Sequence, residues 1–160
     1  PRRGAYVANI SIKDMLDVFE VREDLEGFVA ELAAQRITDQ EKEKLRLLAK
    51  ECEEAMREED KEAVIELDEK FHNFIVECCK NDTLSQLVHY VQELSLRFRY
   101  LYYDDYSLYD STLEQHNRIV DAILSGDEQN ARHEADAHVK ELKKFVYELG
   151  RKMEIPVVGE

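Results

Sequence analysis

Apolar and polar residues follow each other along this chain with the spacing of helices that bury one side. After Ser11, apolar residues recur every three or four positions as far as Arg36, and the same spacing returns in later segments. Two short sequences, SIKD at 11–14 and TDQE at 38–41, have the form of a capping box that starts a helix. The pattern predicts helices at about 11–36, 38–57, 60–79, 84–103, 108–124 and 127–150.

Short connections between these segments favour an all-α fold, an antiparallel bundle of about six helices. The segment GAYVANI at 4–10 has the alternation of a short strand, and we expect its sheet partner to lie outside this chain. The tail at 151–160 is expected to be frayed or extended. Only two prolines and five glycines occur in the 160 residues, which agrees with an almost wholly helical chain.

The composition argues against several classes of protein. A formal net charge of −14, with no basic stripe, would repel a phosphate backbone, so this chain alone is a poor nucleic-acid binder. No apolar run approaches the roughly 18 residues of a membrane span, and we expect no membrane contact. The three cysteines are an odd number without a signal-peptide pattern, which fits a cytoplasmic location.

Residues that can carry chemistry occur on the predicted buried sides of three helices. Because a helix turns by about 100° per residue, the apolar neighbours of a side chain indicate where it points. By the same criterion, His89 and His133 are predicted to point toward solvent. Four residues are predicted to point toward the core, namely Asp68, His72, His116 and His138.

A buried acid and buried imidazoles need compensating interactions, because burying such groups unpaired costs several kcal/mol. Taken alone, Asp68 and His72 fit a salt bridge, a proton-transfer pair or half of a metal site. A single inward histidine is more often just a hydrogen-bonded core residue. As a set, three imidazoles and one carboxylate from three helices match a site for one zinc, nickel, iron or manganese ion.

Other motifs give little support to an enzyme. Glu69 and His72 form one E-x-x-H unit, whereas di-iron bundles need two such units and further glutamates. The HEADAH segment at 133–138 is one residue too long for the zinc-protease motif. The alternative function is a helical-bundle mononuclear metalloenzyme acting on a small carboxylate or ester, for which Glu134 is the candidate general base.

Two arginines are also predicted on or near the apolar sides of helices. Arg22 lies between Leu25 and Val29 on the inward side of the first helix, and Arg99 lies at the edge of the apolar side of the fourth. A guanidinium in such a place needs a carboxylate partner. That partner is either an internal acid or a small organic acid that bridges the arginine and the metal.

Three segments, in this order, resemble the effector-binding domain called FCD in the FadR branch of GntR-type transcriptional regulators. They are EVREDLEGFVAELAAQR, DEKFHNFIVECCKNDTLSQL and EQHNRIVDAILSGDEQNARHEADAHV. The opening PRRGAYVANIS is similar to the last strand of the winged-helix wing that precedes FCD in this family. The resemblance implies a wing remnant at 1–10, an FCD ligand-binding bundle at 11–150 and a tail at 151–160.

The resemblance also implies a function and a set of site residues. The chain would be the effector-sensing and dimerisation domain of a homodimeric repressor or activator, rather than an enzyme, contacting operator DNA only through an N-terminal winged-helix domain. In metal-binding members the metal ligands fall at the positions of Asp68, His72, His116 and His138. For this chain we expect one divalent ion, zinc or nickel before manganese or iron. The effectors of metal-binding members are small organic acids, and we assign effector binding to Arg22, Arg99 and Asn81.

Overall fold

A computed structural model describes residues 11–152, and within this range the chain forms six α-helices and no strand. A single turn of 3₁₀ helix, Tyr106–Leu108, precedes the fifth helix. The helices are α1 (Ile12–Arg36), α2 (Asp39–Arg57), α3 (Lys61–Cys78), α4 (Asp82–Tyr102), α5 (Tyr109–Ser125) and α6 (Glu128–Lys152). The predicted all-α bundle is confirmed. The strand predicted at 4–10 and residues 153–160 of the tail predicted at 151–160 lie outside the described residues, whereas residues 151 and 152 continue α6.

Capping side chains explain where several helices begin. The side chains of Ser11 and Thr38 each accept a hydrogen bond from a backbone N–H in the first turn. An acidic side chain of that turn accepts a second hydrogen bond from the backbone N–H of the capping residue. Both predicted capping boxes are therefore confirmed. Helix α4 begins at Asp82, earlier than predicted, because the side-chain oxygen of Asn81 accepts a hydrogen bond from Leu84 N–H.

Buried apolar side chains form two hydrophobic clusters within the bundle. The first includes Leu45, Phe71 and Ile123, from α2, α3 and α5. The second includes Phe19 of α1 and Phe98 of α4, whose rings meet edge to face with centroids 4.8 Å apart. Helices α1 and α6 make the most extensive interhelical contact. Burial of these side chains supplies the main driving force for folding and fixes the positions of α3, α5 and α6.

Some apolar residues of α4 are exposed to solvent, although their helical spacing predicts that they face the core. Leu87 and Leu94 are 51% and 38% exposed, although both share the helical apolar spacing of their buried neighbours. Four exposed residues of α4 fall within an arc of roughly 60° and form what we call the α4 strip: Leu87, Tyr90, Leu94 and Leu101. No helix within residues 11–152 is long and apolar enough to cross a membrane.

Candidate metal centre

Three histidines from three helices meet inside the bundle. His72 of α3, His116 of α5 and His138 of α6 lie with their ring centroids 5.0–5.3 Å apart. A potential ligand atom from each lies within 4.8 Å of the others, and this is the only such cluster found in residues 11–152. The inward direction predicted for all three is confirmed by their burial. His89 and His133 are exposed, as predicted.

Asp68 lies beside two of these imidazoles. Its Oδ1 atom is 3.4 Å from His72 Nε2 and 3.6 Å from His116 Nε2. The Tyr103 hydroxyl donates a 2.7 Å hydrogen bond to the same oxygen, and Arg99 Nε lies 2.9 Å from Oδ2 in an ion pair. The carboxylate is therefore held by one hydrogen bond and one ion pair while it faces the histidines. Of the four residues selected from helical phase, the three histidines form one cluster and Asp68 lies against two of them.

The imidazole of His116 has an unusual environment. Its two ring nitrogens are buried and have no hydrogen-bond partner among the described residues. A buried polar group without a partner costs on the order of 1–3 kcal/mol, so native proteins rarely leave one unsatisfied. A cation bound between the three rings would take the lone pair of one nitrogen. The residues present thus fit a divalent metal ion, since three imidazoles and a carboxylate are ligands that zinc and nickel accept.

The electrostatic setting keeps the donors in the protonation states that bind a metal. Burial, and then the neighbouring His72, lower the pKa of His116 to about 4. Burial and the other two imidazoles lower the pKa of His138 well below its usual value. Burial acts to raise the pKa of Asp68, but His72 and Arg99 outweigh it and hold that pKa well below the usual range. At neutral pH His116 and His138 are therefore neutral and Asp68 is ionised, as metal coordination requires.

Both candidate arginines have internal carboxylate partners. Arg22 Nε donates a 2.8 Å hydrogen bond to Glu26 Oε1, and a terminal nitrogen lies 2.8 Å from the same oxygen in an ion pair. The other terminal nitrogen donates to Ser95 Oγ at 3.0 Å. Arg99 forms an ion pair with Asp68, and its Nη1 atom lies 3.6 Å from Glu69 Oε2. The internal ion pair, one of the two alternatives open from the sequence, is therefore present in both cases. Contact between either arginine and an effector stays a prediction.

Two small cavities of about 20 Å³ each flank the histidines. Glu26 and Gln92 line one of them, among apolar residues of the first cluster. Arg22 and Arg99 line the other, beside aromatic residues of the second cluster. Since His72 and His138 line both cavities, the polar site lies between the two halves of the core. A much larger groove of about 810 Å³ runs between α1 and α6, but it is an open surface feature that contains none of the predicted site residues.

Two other sequence-derived candidates lie apart from this arrangement. Asn81 caps helix α4 and lines neither of the two cavities beside the histidines. Its assignment to effector binding stays a prediction. Glu134, the candidate general base of the alternative enzyme, accepts a 2.9 Å hydrogen bond from Arg118 Nε in an ion pair.

Sequence reasoning missed several residues that support the site. Glu26 lies one helical turn after Arg22. The inward direction of Arg22 could therefore have predicted Glu26 as its buried partner. Gln115 precedes His116 and meets His138 across the interface of α5 and α6, at 2.8 Å. Tyr103 lies at the very end of the helix predicted at about 84–103. No periodicity there could have indicated its hydrogen bond to Asp68.

Comparisons with known proteins agree with this arrangement of helices. The FCD domain family matches residues 17–141 of the chain. An uncharacterised HTH-type transcriptional regulator of Bacillus subtilis, YdhC, is 28% identical over 158 residues, covering 94% of this chain and 69% of that protein. A putative L-lactate dehydrogenase operon regulatory protein of Escherichia coli is 32% identical over 127 residues, covering 77% of this chain and 48% of that protein.

Solved structures show the same fold. Escherichia coli McbR/YncC superposes with a TM-score of 0.77 at 17% identity, over 85% of this chain and 65% of that one. Streptococcus agalactiae GntR superposes with a TM-score of 0.71 at 25% identity, over 88% of this chain and 62% of that one. The chain thus spans between about half and about two thirds of the length of these relatives.

Proposed function

Because this chain belongs to the FCD domain family of GntR-type transcriptional regulators, we propose that it is the part of such a regulator that senses a small effector molecule. The observation that supports this most directly is the buried cluster of three imidazoles, one of which, His116, has no hydrogen-bond partner for either ring nitrogen among the described residues. Within the family we place the chain in the metal-binding kind of the FadR branch.

The ligands in this proposal are those chosen from the sequence. One divalent transition-metal ion, zinc or nickel before manganese or iron, would be held by Asp68, His72, His116 and His138. When bound, the ion would supply a fixed positive charge with a coordination position open to an anion. Tyr103 and Arg99 would orient the carboxylate of Asp68, since ligands of metals are commonly fixed by such outer contacts.

The charges around the cluster favour an anionic effector. Arg22 is balanced by Glu26, and Arg99 by Asp68, so the buried side chains carry no net charge when the histidines are neutral. A divalent cation would leave the site with two uncompensated positive charges in a poorly solvated place. A small organic acid would compensate them, with Arg99 and Arg22 lining the cavity that its carboxylate enters.

The size of the cavities connects effector binding to a movement of helices. A cavity of about 20 Å³ holds a single water-sized group, so an acid of several non-hydrogen atoms requires the helices around it to separate. Helix α4 is the element we expect to move. Ser95 and Arg99 join it to the site through Arg22 and Asp68, and its exposed side carries the α4 strip.

The α4 strip supports a homodimer as the functional unit. Exposed apolar strips on a helix are commonly covered by a protein partner, and a second copy of the chain is the partner proposed here. Effector binding would then change the relative position of the two protomers, and with it the relative position of the two winged-helix domains that contact operator DNA. The net charge of −14 agrees with DNA contact through a separate domain.

Calorimetric titration of lactate, succinate and citrate into the zinc-loaded and the metal-free chain tests this function. The account predicts that at least one acid binds the zinc-loaded chain and none binds the metal-free chain. Equal binding with and without zinc, or no binding at all, would contradict it. Hydrolysis of an ester by the zinc-loaded chain would instead favour the metalloenzyme.

A further inference from the structure

Gln115 of α5 and His138 of α6 form a buried hydrogen bond beside the histidine cluster. Gln115 Oε1 lies 2.8 Å from His138 Nδ1, and the two residues are 7% and 2% exposed. The bond joins residues 23 positions apart in the chain. It therefore depends on how α5 and α6 pack against each other, and water does not compete for it.

This contact decides which nitrogen of His138 is free. An amide oxygen can only accept a hydrogen bond, so the proton of the neutral imidazole lies on Nδ1 and the lone pair lies on Nε2. We propose that Gln115 is a positioning residue that holds His138 in the tautomer whose Nε2 can bind a cation. The consequence for metal affinity rests on the proposed function, but the tautomer itself does not.

The other donors of the cluster show why this positioning matters. His116 has no hydrogen-bond partner for either nitrogen among residues 11–152, so nothing there fixes its tautomer. Asp68 is fixed by Tyr103 and Arg99. Gln115 thus gives His138 the outer contact that Asp68 has and His116 lacks. Helix α5 supplies one candidate ligand, His116, and on the preceding residue the group that orients a ligand of the neighbouring helix.

Three variants separate this role from packing. Gln115→Leu removes the acceptor at similar volume, and Gln115→Glu keeps an acceptor oxygen. Thr112→Val is the matched control, because Thr112 is also buried on α5 and its hydroxyl bonds Tyr102 rather than a histidine. Zinc affinity is measured by competition with a chelating dye. The tautomer of His138 is measured in the metal-free chain by NMR with ¹⁵N-labelled histidine, its signals being assigned by their loss in His138→Ala.

The proposal expects Gln115→Leu to weaken zinc binding by about 10–100-fold, the usual effect of losing an outer contact to a ligand. Gln115→Glu and Thr112→Val should bind zinc like the parent chain. In the NMR spectra His138 should be in the Nδ1–H form in the parent and in Gln115→Glu, and in a mixture of tautomers in Gln115→Leu. An Nδ1–H form that persists in Gln115→Leu would overturn the proposal, as would equal losses of affinity in Gln115→Leu and Gln115→Glu.

Failure of the metal centre gives a different result. A parent chain that binds no zinc would refute the proposed function, while the NMR comparison would still decide whether Gln115 sets the tautomer. Zinc binding that does not respond to Gln115→Leu would leave the proposed function intact and refute the positioning role.

Discussion

At the scale of single residues, Asp68 and His116 differ in how well their polar atoms are satisfied. Asp68 receives a hydrogen bond from Tyr103 and forms an ion pair with Arg99, whereas His116 has no hydrogen-bond partner for either ring nitrogen among the described residues. Burial and the adjacent Asp68 raise the pKa of Tyr103 well above its usual value, so its hydroxyl stays protonated and donates. The carboxylate is thus fixed in place before any ion binds.

Replacement of Tyr103 by Phe tests this hydrogen bond in the metal-free chain. A hydrogen bond to a charged group contributes roughly 1.5–3 kcal/mol, so Tyr103→Phe should lower the free energy of unfolding by about that amount in urea denaturation. Tyr109→Phe is the matched control. Tyr109 is as buried as Tyr103, but its hydroxyl donates to the neutral carbonyl of Tyr103, a bond that typically contributes about 0.5–1.5 kcal/mol. A smaller loss for Tyr103→Phe than for Tyr109→Phe would contradict the account.

Helical phase could predict the direction of the four candidate ligands but not their partners. Asp68, His72, His116 and His138 point inward because each lies among apolar neighbours on a regular helix. The bonds of Tyr103 to Asp68 and of Gln115 to His138 join residues 35 and 23 positions apart. They depend on tertiary packing and rotamers, which no local pattern contains.

At the scale of elements, helix α4 connects the site to the surface of the bundle. Its start is fixed by Asn81, whose side-chain oxygen accepts from Leu84 N–H at 3.1 Å. Further along the helix Ser95 accepts a hydrogen bond from Arg22, and in the last turn Arg99 forms an ion pair with Asp68. The starts of α1 and α2 could be predicted because capping boxes are local signals. The start of α4 was predicted at about 84 rather than at Asp82, because the apolar spacing begins at Leu84 and does not include the cap.

Asn81→Ala distinguishes a cap from an effector ligand. Loss of an Asn cap typically lowers the free energy of unfolding by about 1 kcal/mol, and Asn81→Asp should keep most of it because Asp is also a good cap. Urea denaturation measures both variants. If Asn81→Ala leaves stability unchanged and instead weakens binding of an organic acid, the residue contacts the effector and the capping account is wrong.

At the scale of the whole molecule, the bundle was predictable and its uncovered surface was not. Six amphipathic segments with short connections allow few folds other than a helical bundle. The same spacing that buries Val88 and Phe98 also includes Leu87 and Leu94, which are exposed. Periodicity cannot separate an apolar side chain that faces the core from one that faces a partner chain.

Leu87→Glu tests whether the α4 strip joins two copies of the chain. A buried, unpaired carboxylate strongly opposes association, so sedimentation velocity should show the dimer of the parent chain converted to monomer. Leu47→Glu on α2 is the matched control, because Leu47 is 56% exposed and Leu87 is 51% exposed. A parent chain that sediments as a monomer would refute the dimer, and dissociation by Leu47→Glu alone would place the interface elsewhere.

The central claim is that the three buried histidines and Asp68 hold a divalent metal ion, and metal content measures it most directly. The untagged parent chain, His116→Ala and His133→Ala are each loaded with zinc, desalted and analysed for zinc per chain. The account predicts about one equivalent in the parent and in His133→Ala, whose altered side chain is exposed, and almost none in His116→Ala. Zinc retention in the parent no greater than in His116→Ala would contradict it.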